Sequence, residues 1–437
     1  MVALVVGIAV VVVGIVVSIA LHEIGHMVPA KKFGVRVSQY MVGFGPTLWS
    51  RRRGETEYGV KAIPAGGYVR LVGMFPPNPD GAREPASFAR RIAFDAREAS
   101  SEEIHPGEEH RAFYNLSAPK KVVVMLGGPF MNLVIAAVLM VVVVAGIGVS
   151  GASTTVGAVV PCVTGSSATT APRECTDADP ESPAVAAGLE PGDEVVSFGG
   201  TAVDSWDQLV SLINDAAGEP TPVVVVRDGT EVDLTITPAQ VERQQVDADG
   251  TPVVDAAGDP VTEPGGYVGF SAAVERQRGS LADAGEALWD TVTATAGVVV
   301  TLPQNVYDVV RTTVAGEERD ATSVMGPVGV GVVAVEVAGA DAGVVDRVAI
   351  MLSLLASLNV ALFVFNLIPL LPLDGGHVLN ALYEGTKRTV ARVRGLPRPG
   401  PADVARMMPV AYVMFVALVG VGVLLLVADV VNPVTLL

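Results

Sequence analysis

The stretch SIALHEIGHMVPAKK, residues 18–32, places two histidines and a glutamate at the end of a long apolar segment. No charged residue precedes His22, and Glu23 and His26 follow it within one helical turn of sequence. Ionisable side chains at membrane depth are energetically unfavourable and usually serve a function. The sequence therefore raises the question of which chemistry requires these residues in such a place.

The composition of the 437-residue chain is typical of a membrane protein. Half of the residues are hydrophobic and 17% are charged. A transmembrane helix needs about 20 consecutive, mostly apolar residues. Four stretches meet this condition and predict four spans, at about 2–28, 121–149, 346–368 and 406–428. The first lacks the basic start and the small-residue cleavage site of a signal peptide, so we expect it to be a retained span.

Positive and negative charges are segregated along the chain. Residues 30–121 carry 15 of the 29 Lys and Arg, and residues 385–406 carry 6 more. Residues 151–344 carry only 7 Lys and Arg against 30 Asp and Glu. Because basic loops stay in the cytoplasm, we expect the two basic regions inside and the acidic segment, with both termini, outside. An acidic exposed domain also argues against nucleic-acid binding.

His22, Glu23 and His26 form an HExxH motif. On a helix, residues four apart share a face, so both imidazoles can reach one Zn²⁺ ion. The glutamate beside them can take a proton from water at the metal. A catalytic zinc site has three protein ligands, but the position of the third histidine in the metzincin pattern is Lys32. The third ligand must therefore come from another part of the chain.

A second apolar segment, NVALFVFNLIPLLPLDGGHVLNALYEG at 359–385, contains candidates for the third ligand. Asn366 and two prolines, the first of them Pro369, interrupt an otherwise spanning helix. Lipid tolerates such a break only where protein or water satisfies the freed backbone groups. His377 is the one other histidine in an apolar context, but Asp374 is the better candidate, because it follows the break at the same membrane depth as the two motif histidines.

Residues 41–74 are rich in glycine and show two alternating stretches joined by a charged turn at 53–55. This pattern predicts a β-hairpin-like element. The pattern alone leaves open whether the element dips towards the membrane or forms a small cytoplasmic sheet. The following residues, 75–118, are polar and predict a solvated loop in which His105 and His110 are surface residues.

Residues 181–238 of the acidic segment predict a small α+β domain. The predicted elements are a short helix at 183–187, a strand at 194–198, a helix at 205–214 and a hairpin with its turn at Asp228-Gly229. The run SPAVAAGLEPGDEVVSFGG at 182–200 resembles a PDZ domain, a fold that commonly binds an extended peptide at a sheet edge. The alternative is a PDZ-shaped domain that only fills space near the active site.

The remainder of the acidic segment is less regular. Cys162 and Cys175 lie before the PDZ-like run, and the sequence leaves open whether they are joined. Residues 244–281 predict a loop with one or two strands. Residues 281–314 predict an amphipathic helix, and we expect it to be interfacial because its uncharged run is shorter than a span and contains Pro303.

Four features together resemble the site-2 protease family. They are the HExxH motif in the first span, GGPFMN (127–132) in the second, the PDZ-like insert, and NLIPLLPLDGGH (366–377) after the third. The resemblance covers nearly the whole chain and is closest to the bacterial branch with an extracytoplasmic PDZ domain. One departure is the single clear PDZ sequence, since some relatives have two in tandem.

The resemblance implies roles for individual residues. It implies His22, His26 and Asp374 as zinc ligands and Glu23 as the general base. It further implies that Asn366 and Pro369 bind substrate by holding it as an unwound strand, with assistance from Asn132. The hairpin after GFGP (43–46) is similar to the membrane-associated β element of the family.

The expected fold class is a polytopic α-helical membrane protein of about four transmembrane helices, with an inserted α+β PDZ domain and a membrane-associated β-hairpin element. The predicted domains are a first transmembrane helix at 1–30, a cytoplasmic region with the β element at 31–120, a second transmembrane helix at 121–149, an extracytoplasmic PDZ domain at 150–243, an extracytoplasmic linker with the amphipathic helix at 244–344, a third transmembrane helix at 345–385, a cytoplasmic loop at 386–405 and a fourth transmembrane helix at 406–430.

The expected function is that of an intramembrane zinc metalloendopeptidase in the cell membrane, acting on single-span proteins. By resemblance, its substrates are anti-sigma factors already shortened by another protease, with the truncated ends recognised at the PDZ domain. A non-catalytic PDZ scaffold binding envelope proteins is the alternative, and a metal transporter is a third class. Only the protease requires the glutamate for function while the metal is retained.

Overall fold

The computed structural model describes residues 2–79, 82–163, 175, 179–245, 253, 261–315, 324, 326, 328–329, 332 and 343–432. The chain forms two compact units. The first comprises Met1–Gly148 and Arg278–Leu437, and the second comprises Val149–Gln277. The second unit is thus an insertion between two parts of the first.

Helices dominate the first unit and strands the second. The α-helices considered below are α1 (Val2–Lys32), α2 (Phe88–Glu102), α3 (Ala118–Val141), α4 (Pro183–Ala186), α5 (Trp206–Asp215), α6 (Leu281–Ala315), α7 (Val344–Asn366), α8 (Asp374–Val393) and α9 (Met408–Val431). The strands are β1 (Val37–Arg53), β2 (Thr56–Leu71), β3 (Val149–Val159), β4 (Glu194–Phe198), β5 (Thr201–Ala202), β6 (Thr221–Arg227), β7 (Thr230–Ile236), β8 (Ala239–Gln244), β9 (Thr262–Tyr267) and β10 (Phe270–Gln277).

Among the described residues of the first unit, four helical segments are long and apolar enough to cross a membrane. They are Val11–Lys32, Ala118–Ile147, Val344–Asn366 and Val404–Val431. Each overlaps one of the four predicted spans, and most of their surface faces outward rather than into the protein. Outward-facing apolar side chains are what lipid solvates. The chain is therefore a multi-pass membrane protein.

The segment predicted as the third transmembrane domain, 345–385, contains two helices. Helix α7 ends at Asn366, residues 367–373 are turns, and α8 begins at Asp374. Proline at 369 and 372 cannot donate the backbone hydrogen bonds that a continuous helix needs. The break places Asp374 at the first residue of a new helix.

The hairpin of β1 and β2 matches the predicted β element and is longer than it. The two strands pair antiparallel from Val37↔Leu71 to Arg53↔Thr56. Gly54 occupies the turn with φ of +62°, a conformation that glycine adopts without a Cβ clash. The strand ends pack with the end of α1 and the start of α3 in one core cluster, which includes Val124.

The sequence predicts a solvated loop at 75–118. The structure differs, because this region contains the helix α2. Ala93 is buried, and Ile92, Ala96 and Ser100 are partly buried at helical spacing around it. Arg97 joins this helix to Asp403 by two hydrogen bonds. The many Glu and Arg on the opposite face conceal this narrow apolar stripe in the sequence. His105 and His110 are exposed.

The second unit is a sheet with the strand order β10-β3-β4-β6-β7 and with β5 beside β4. Its pairs are antiparallel, and α5 contributes Leu209 and Ile213 to the core. The unit continues to Gln277, past the predicted domain boundary at 243, because β10 pairs with β3 and β8 pairs with β9. Such pairing between distant segments has no local signal in the sequence.

Two further features of the acidic segment are settled by the structure. Cys162 and Cys175 form a disulfide. The predicted amphipathic helix at 281–314 is α6, which runs through Pro303 without interruption and packs against α3, α7 and α9.

Candidate metal centre

The HExxH motif lies in α1, two to three turns before the end of the helix. His22 and His26 lie one turn apart on one face, with ring centroids 4.8 Å apart. Their Nε2 atoms are separated by 3.2 Å. The helix continues to Lys32, so the motif sits inside regular helix and its spacing is fixed by the helical repeat.

Asp374 joins the two histidines from the other end of the chain. Its Oδ2 lies 3.5 Å from Nε2 of His22 and 3.3 Å from Nε2 of His26. One donor atom from each of the three residues lies within 4.8 Å of the others. His377, the alternative third ligand, is not part of this cluster. It lines a small cavity elsewhere, beside Lys121.

Hydrogen bonds to Nδ1 determine which nitrogen of each ring faces the cluster. Nδ1 of His26 lies 2.9 Å from the carbonyl oxygen of Val124. A carbonyl only accepts, so this Nδ1 carries the proton and donates it. In the neutral ring Nε2 then has a free lone pair directed at Asp374 and His22, which is the tautomer that binds a metal through Nε2.

Asn132 holds the second ring. Its Nδ2 lies 3.1 Å from Nδ1 of His22, and the residue has no exposed surface. The amide oxygen is buried and has no hydrogen-bond partner in the part of the chain that the structure describes. A half-turn of the amide would place the oxygen against Nδ1, where it could accept the proton of that nitrogen. Both histidines then present Nε2 to the cluster.

The donor set fits a Zn²⁺ ion. Oδ2 of Asp374 is buried and has no hydrogen-bond partner among the described residues, although it faces two ring nitrogens. The two imidazole lone pairs and the carboxylate oxygen repel each other, because they converge without a proton between them. A cation bound among them removes that repulsion. Two His and one Asp are ligands typical of zinc, and three of them leave a fourth position open.

Glu23 lies beside the donor cluster and faces the hairpin. Strand β2 passes so close that a Cβ on Gly67 would lie 3.0 Å from Cγ of Glu23. The same Cβ would lie 3.0 Å from Ile19. The hairpin therefore limits the positions that the Glu23 side chain can take, next to the three donors but outside them.

Glycines let α1 and α3 approach at the donor cluster. A Cβ on Gly25 would clash with the carbonyl of Gly127, and one on Gly127 with the carbonyl of Gly25. A Cβ on Gly128 would lie 2.7 Å from Nε2 of His22 and still closer to Nε2 of His26. Small residues permit such close helix packing in membranes. These glycines are part of the site. In the sequence, the adjacent GG at the start of GGPFMN is the feature that could have indicated this close approach.

The two other predicted substrate-binding residues lie at the break between α7 and α8. Nδ2 of Asn366 donates to the carbonyl of Leu362 in its own helix at 2.9 Å. Pro369 is exposed in the segment 367–373. Neither residue belongs to the donor cluster.

Comparisons with known proteins identify related metalloproteases. The family model described as "Peptidase family M50" matches residues 10–396. The chain is 34% identical to the zinc metalloprotease Rip1 of Mycobacterium tuberculosis, over 98% of both chains. It is 28% identical to the metalloprotease MmpA of Caulobacter vibrioides, over 86% of both. It is 25% identical to the zinc metalloprotease RasP of Oceanobacillus iheyensis, over 84% of this chain and 87% of the relative.

Proposed function

Because this chain belongs to peptidase family M50, the site-2 proteases, we propose that it is an intramembrane zinc metalloendopeptidase that hydrolyses peptide bonds within or near the transmembrane segments of single-span proteins. Its relatives are zinc metalloproteases, and Zn²⁺ is the expected cofactor. The convergence of Asp374 on His22 and His26, which lie within a candidate membrane span, is the observation that carries the proposal.

We assign the metal to three side chains. His22 and His26 would bind it through Nε2, and Asp374 through Oδ2. When bound, Zn²⁺ supplies Lewis acidity, which polarises the scissile carbonyl and lowers the pKa of water. The backbone carbonyl of Val124 and the amide of Asn132 hold the rings in the required orientation.

Glu23 is the general base in this proposal. Its carboxylate takes a proton from the attacking water and returns that proton to the leaving amine nitrogen. Its position next to the donors, without being one of them, suits this role. The approach of β2 at Gly67 restricts the side chain to that position.

Substrate recognition is assigned to the break after α7. A peptide bond inside a helix is shielded and its carbonyl is already hydrogen-bonded, so the substrate must be extended before it is cut. Asn366 precedes the non-helical backbone at 367–373 and Pro369 lies within it, and both would hold the extended strand. Asn132 has no exposed surface and contacts His22, so we reassign it from substrate binding to holding the ligand.

The inserted unit, Val149–Gln277, is proposed to be an extracytoplasmic PDZ domain that selects substrates by their truncated ends. Its position in the acidic segment and the disulfide between Cys162 and Cys175 support the outer side of the membrane, since disulfides persist in oxidising compartments. Anti-sigma factors shortened by another protease are the proposed substrate class.

The variant Glu23→Gln tests the proposal. We expect it to keep about one zinc per chain and to lose about 10²- to 10⁴-fold in the cleavage rate of a single-span reporter in proteoliposomes. Glu102→Gln, at the exposed end of α2, is the matched control and should cleave at the wild-type rate. Unchanged cleavage by Glu23→Gln would refute the assignment of the base. A wild-type protein with neither zinc nor cleavage would instead favour the non-catalytic scaffold.

A further inference from the structure

A cavity of about 820 Å³ lies between the first turns of α3 and the middle of α8, away from the metal donors. Its wall is mostly apolar and includes Pro119, Val122 and Leu382. Leu382 has 54% of its surface exposed. The α3 side of the cavity lies at one end of the candidate span Ala118–Ile147, so its apolar wall continues the surface that faces lipid.

The same cavity is rimmed by three arginines, Arg388, Arg392 and Arg398, and by no acidic side chain from the described part of the chain. Arg392 and Arg398 are exposed and form no ion pair within the described ranges. Arg388 is mostly buried, and its Nε has no hydrogen-bond partner among the described residues. Arg388 nevertheless lines the cavity, so the charge of its guanidinium acts on the same rim.

Buried Glu384 holds basic side chains in place beside the cavity. Its carboxylate forms an ion pair with Arg388, at 2.7 Å, and accepts a hydrogen bond from Lys121 at 2.8 Å. It also accepts from the backbone N–H of Ala402 at 2.9 Å, which ties the loop after α8 to the same point. One carboxylate thus pairs with two cations, so one positive charge remains uncompensated on the cavity wall. The two exposed arginines add their charges to it.

The N-terminus of α3 adds to the positive potential at this point. The helix begins at Ala118, and its N-cap residue Ser117 makes no side-chain capping bond. The free N–H groups at a helix N-terminus favour negative charge. Ser117 and Ala118 both line the cavity.

We propose that this cavity binds one anionic glycerophospholipid. Its phosphate would lie against Arg388, Arg392 and Arg398, and its acyl chains would lie along the apolar wall at Val122 and Leu382. A free phosphate would use only the arginines, and an uncharged lipid only the apolar wall. Basic pockets between transmembrane helices bind lipid headgroups in this way. The inference requires only that the chain is a membrane protein and does not depend on proteolysis.

Lipid retention by the full-length protein in detergent tests this inference. Native mass spectrometry would compare palmitoyl-oleoyl phosphatidylglycerol with phosphatidylcholine of the same acyl chains. We expect preferential retention of phosphatidylglycerol, and the double variant R392A/R398A should weaken it by about tenfold to thirtyfold. The matched control R51A/R53A removes the same charge from exposed positions on β1 and should leave retention unchanged.

Two further measurements distinguish among the possible ligands. L382W fills the apolar wall without changing the charge and should also reduce retention of phosphatidylglycerol. Inorganic phosphate should not compete, because it cannot use the apolar wall. The proposal would be overturned if the protein retained the two lipids equally. It would also be overturned if R51A/R53A weakened retention as much as R392A/R398A, or if phosphate competed fully. R392K/R398K, which keeps the charge, should retain the lipid and shows that the loss in R392A/R398A is not a failure to fold.

Discussion

At the scale of single residues, the donor cluster depends on glycines, which have no side chain, as much as on the donor side chains themselves. Gly128 leaves the space into which both imidazoles project, and Gly25 and Gly127 let the two helix backbones touch. A methyl group at any of these positions would meet backbone or ring atoms that cannot move aside. The geometry of the donors therefore depends on α3 as much as on the HExxH motif.

Gly128→Ala should lower zinc affinity by about tenfold or more, because the new Cβ would displace both imidazoles. Competition with a chromophoric chelator measures this affinity. Gly420→Ala is the control, since a Cβ there meets nothing within 4 Å. Wild-type zinc affinity in Gly128→Ala would show that the rings do not lie where the structure places them.

Substitutions of Asn132 test the orientation of its amide. Asn132→Leu removes the partner of Nδ1 of His22 and should reduce zinc affinity about 10- to 100-fold. Asn132→Asp should retain most of the affinity, because a carboxylate also accepts the proton of Nδ1. Zinc content and affinity are measured as for the glycine variants. The opposite order of the two variants would mean that the amide nitrogen, not the oxygen, faces the ring.

At the scale of elements, β2 lies against α1 where Glu23 projects. The hairpin packs with the end of α1 and the start of α3 in one core cluster, so its position relative to the donors is fixed by burial. Exposed apolar side chains lie further along the hairpin, including Leu48 at 70% and Trp49 at 58% exposure. They are consistent with the proposed contact between this element and the membrane.

Gly67→Ala should reduce cleavage by about tenfold while zinc content stays at the wild-type level, since the added Cβ moves Glu23 but not the donors. The reporter cleavage rate and the metal content are measured on the same preparation. Ala62→Val, at an exposed position of the same strand, should cleave normally. Loss of zinc in Gly67→Ala would mean that the strand supports the donors and not the base.

At the scale of the whole molecule, the chain combines a membrane unit with an inserted acidic unit that has its own core. An internal ion pair in the inserted unit links its stability to pH. Arg227 donates to the carboxylate of Asp193 through Nε and Nη2, both at 2.7 Å. These hydrogen bonds, together with one from the backbone N–H of Glu190, lower the pKa of Asp193 below its ordinary value.

The stabilisation by Asp193 should be complete above its unfolded pKa of about 3.9 and should be lost as the pH falls through the lower folded pKa. Asp193→Asn should reduce the stability of the unit at neutral pH by about 2 kcal/mol and weaken its acid dependence. Trp206 fluorescence, in a background with Trp49 and Trp289 replaced by Phe, reports unfolding of this unit. Asp233→Asn, at an exposed position of β7, is the control, and an equal effect there would contradict the prediction.

Much of the local structure could be predicted from the sequence. The spans, the β1–β2 hairpin and the elements between 183 and 236 lie close to their predicted positions, because hydrophobic periodicity and turn residues act over a few residues. Membership of the site-2 proteases, the expected zinc cofactor and the membrane location are confirmed by the comparisons. The roles of the individual site residues stay predictions.

The sequence by itself determined that two imidazoles share one helix face at membrane depth, since the helical repeat fixes residues four apart. It proposed Asp374 from the break in the apolar segment. Only the tertiary structure decided that Asp374 meets the two histidines, that Asn132 contacts His22 and Val124 contacts His26, that Cys162 pairs with Cys175, and that β10 closes the sheet with β3. These features join segments distant in the chain, and such contacts depend on packing rather than on any local periodicity.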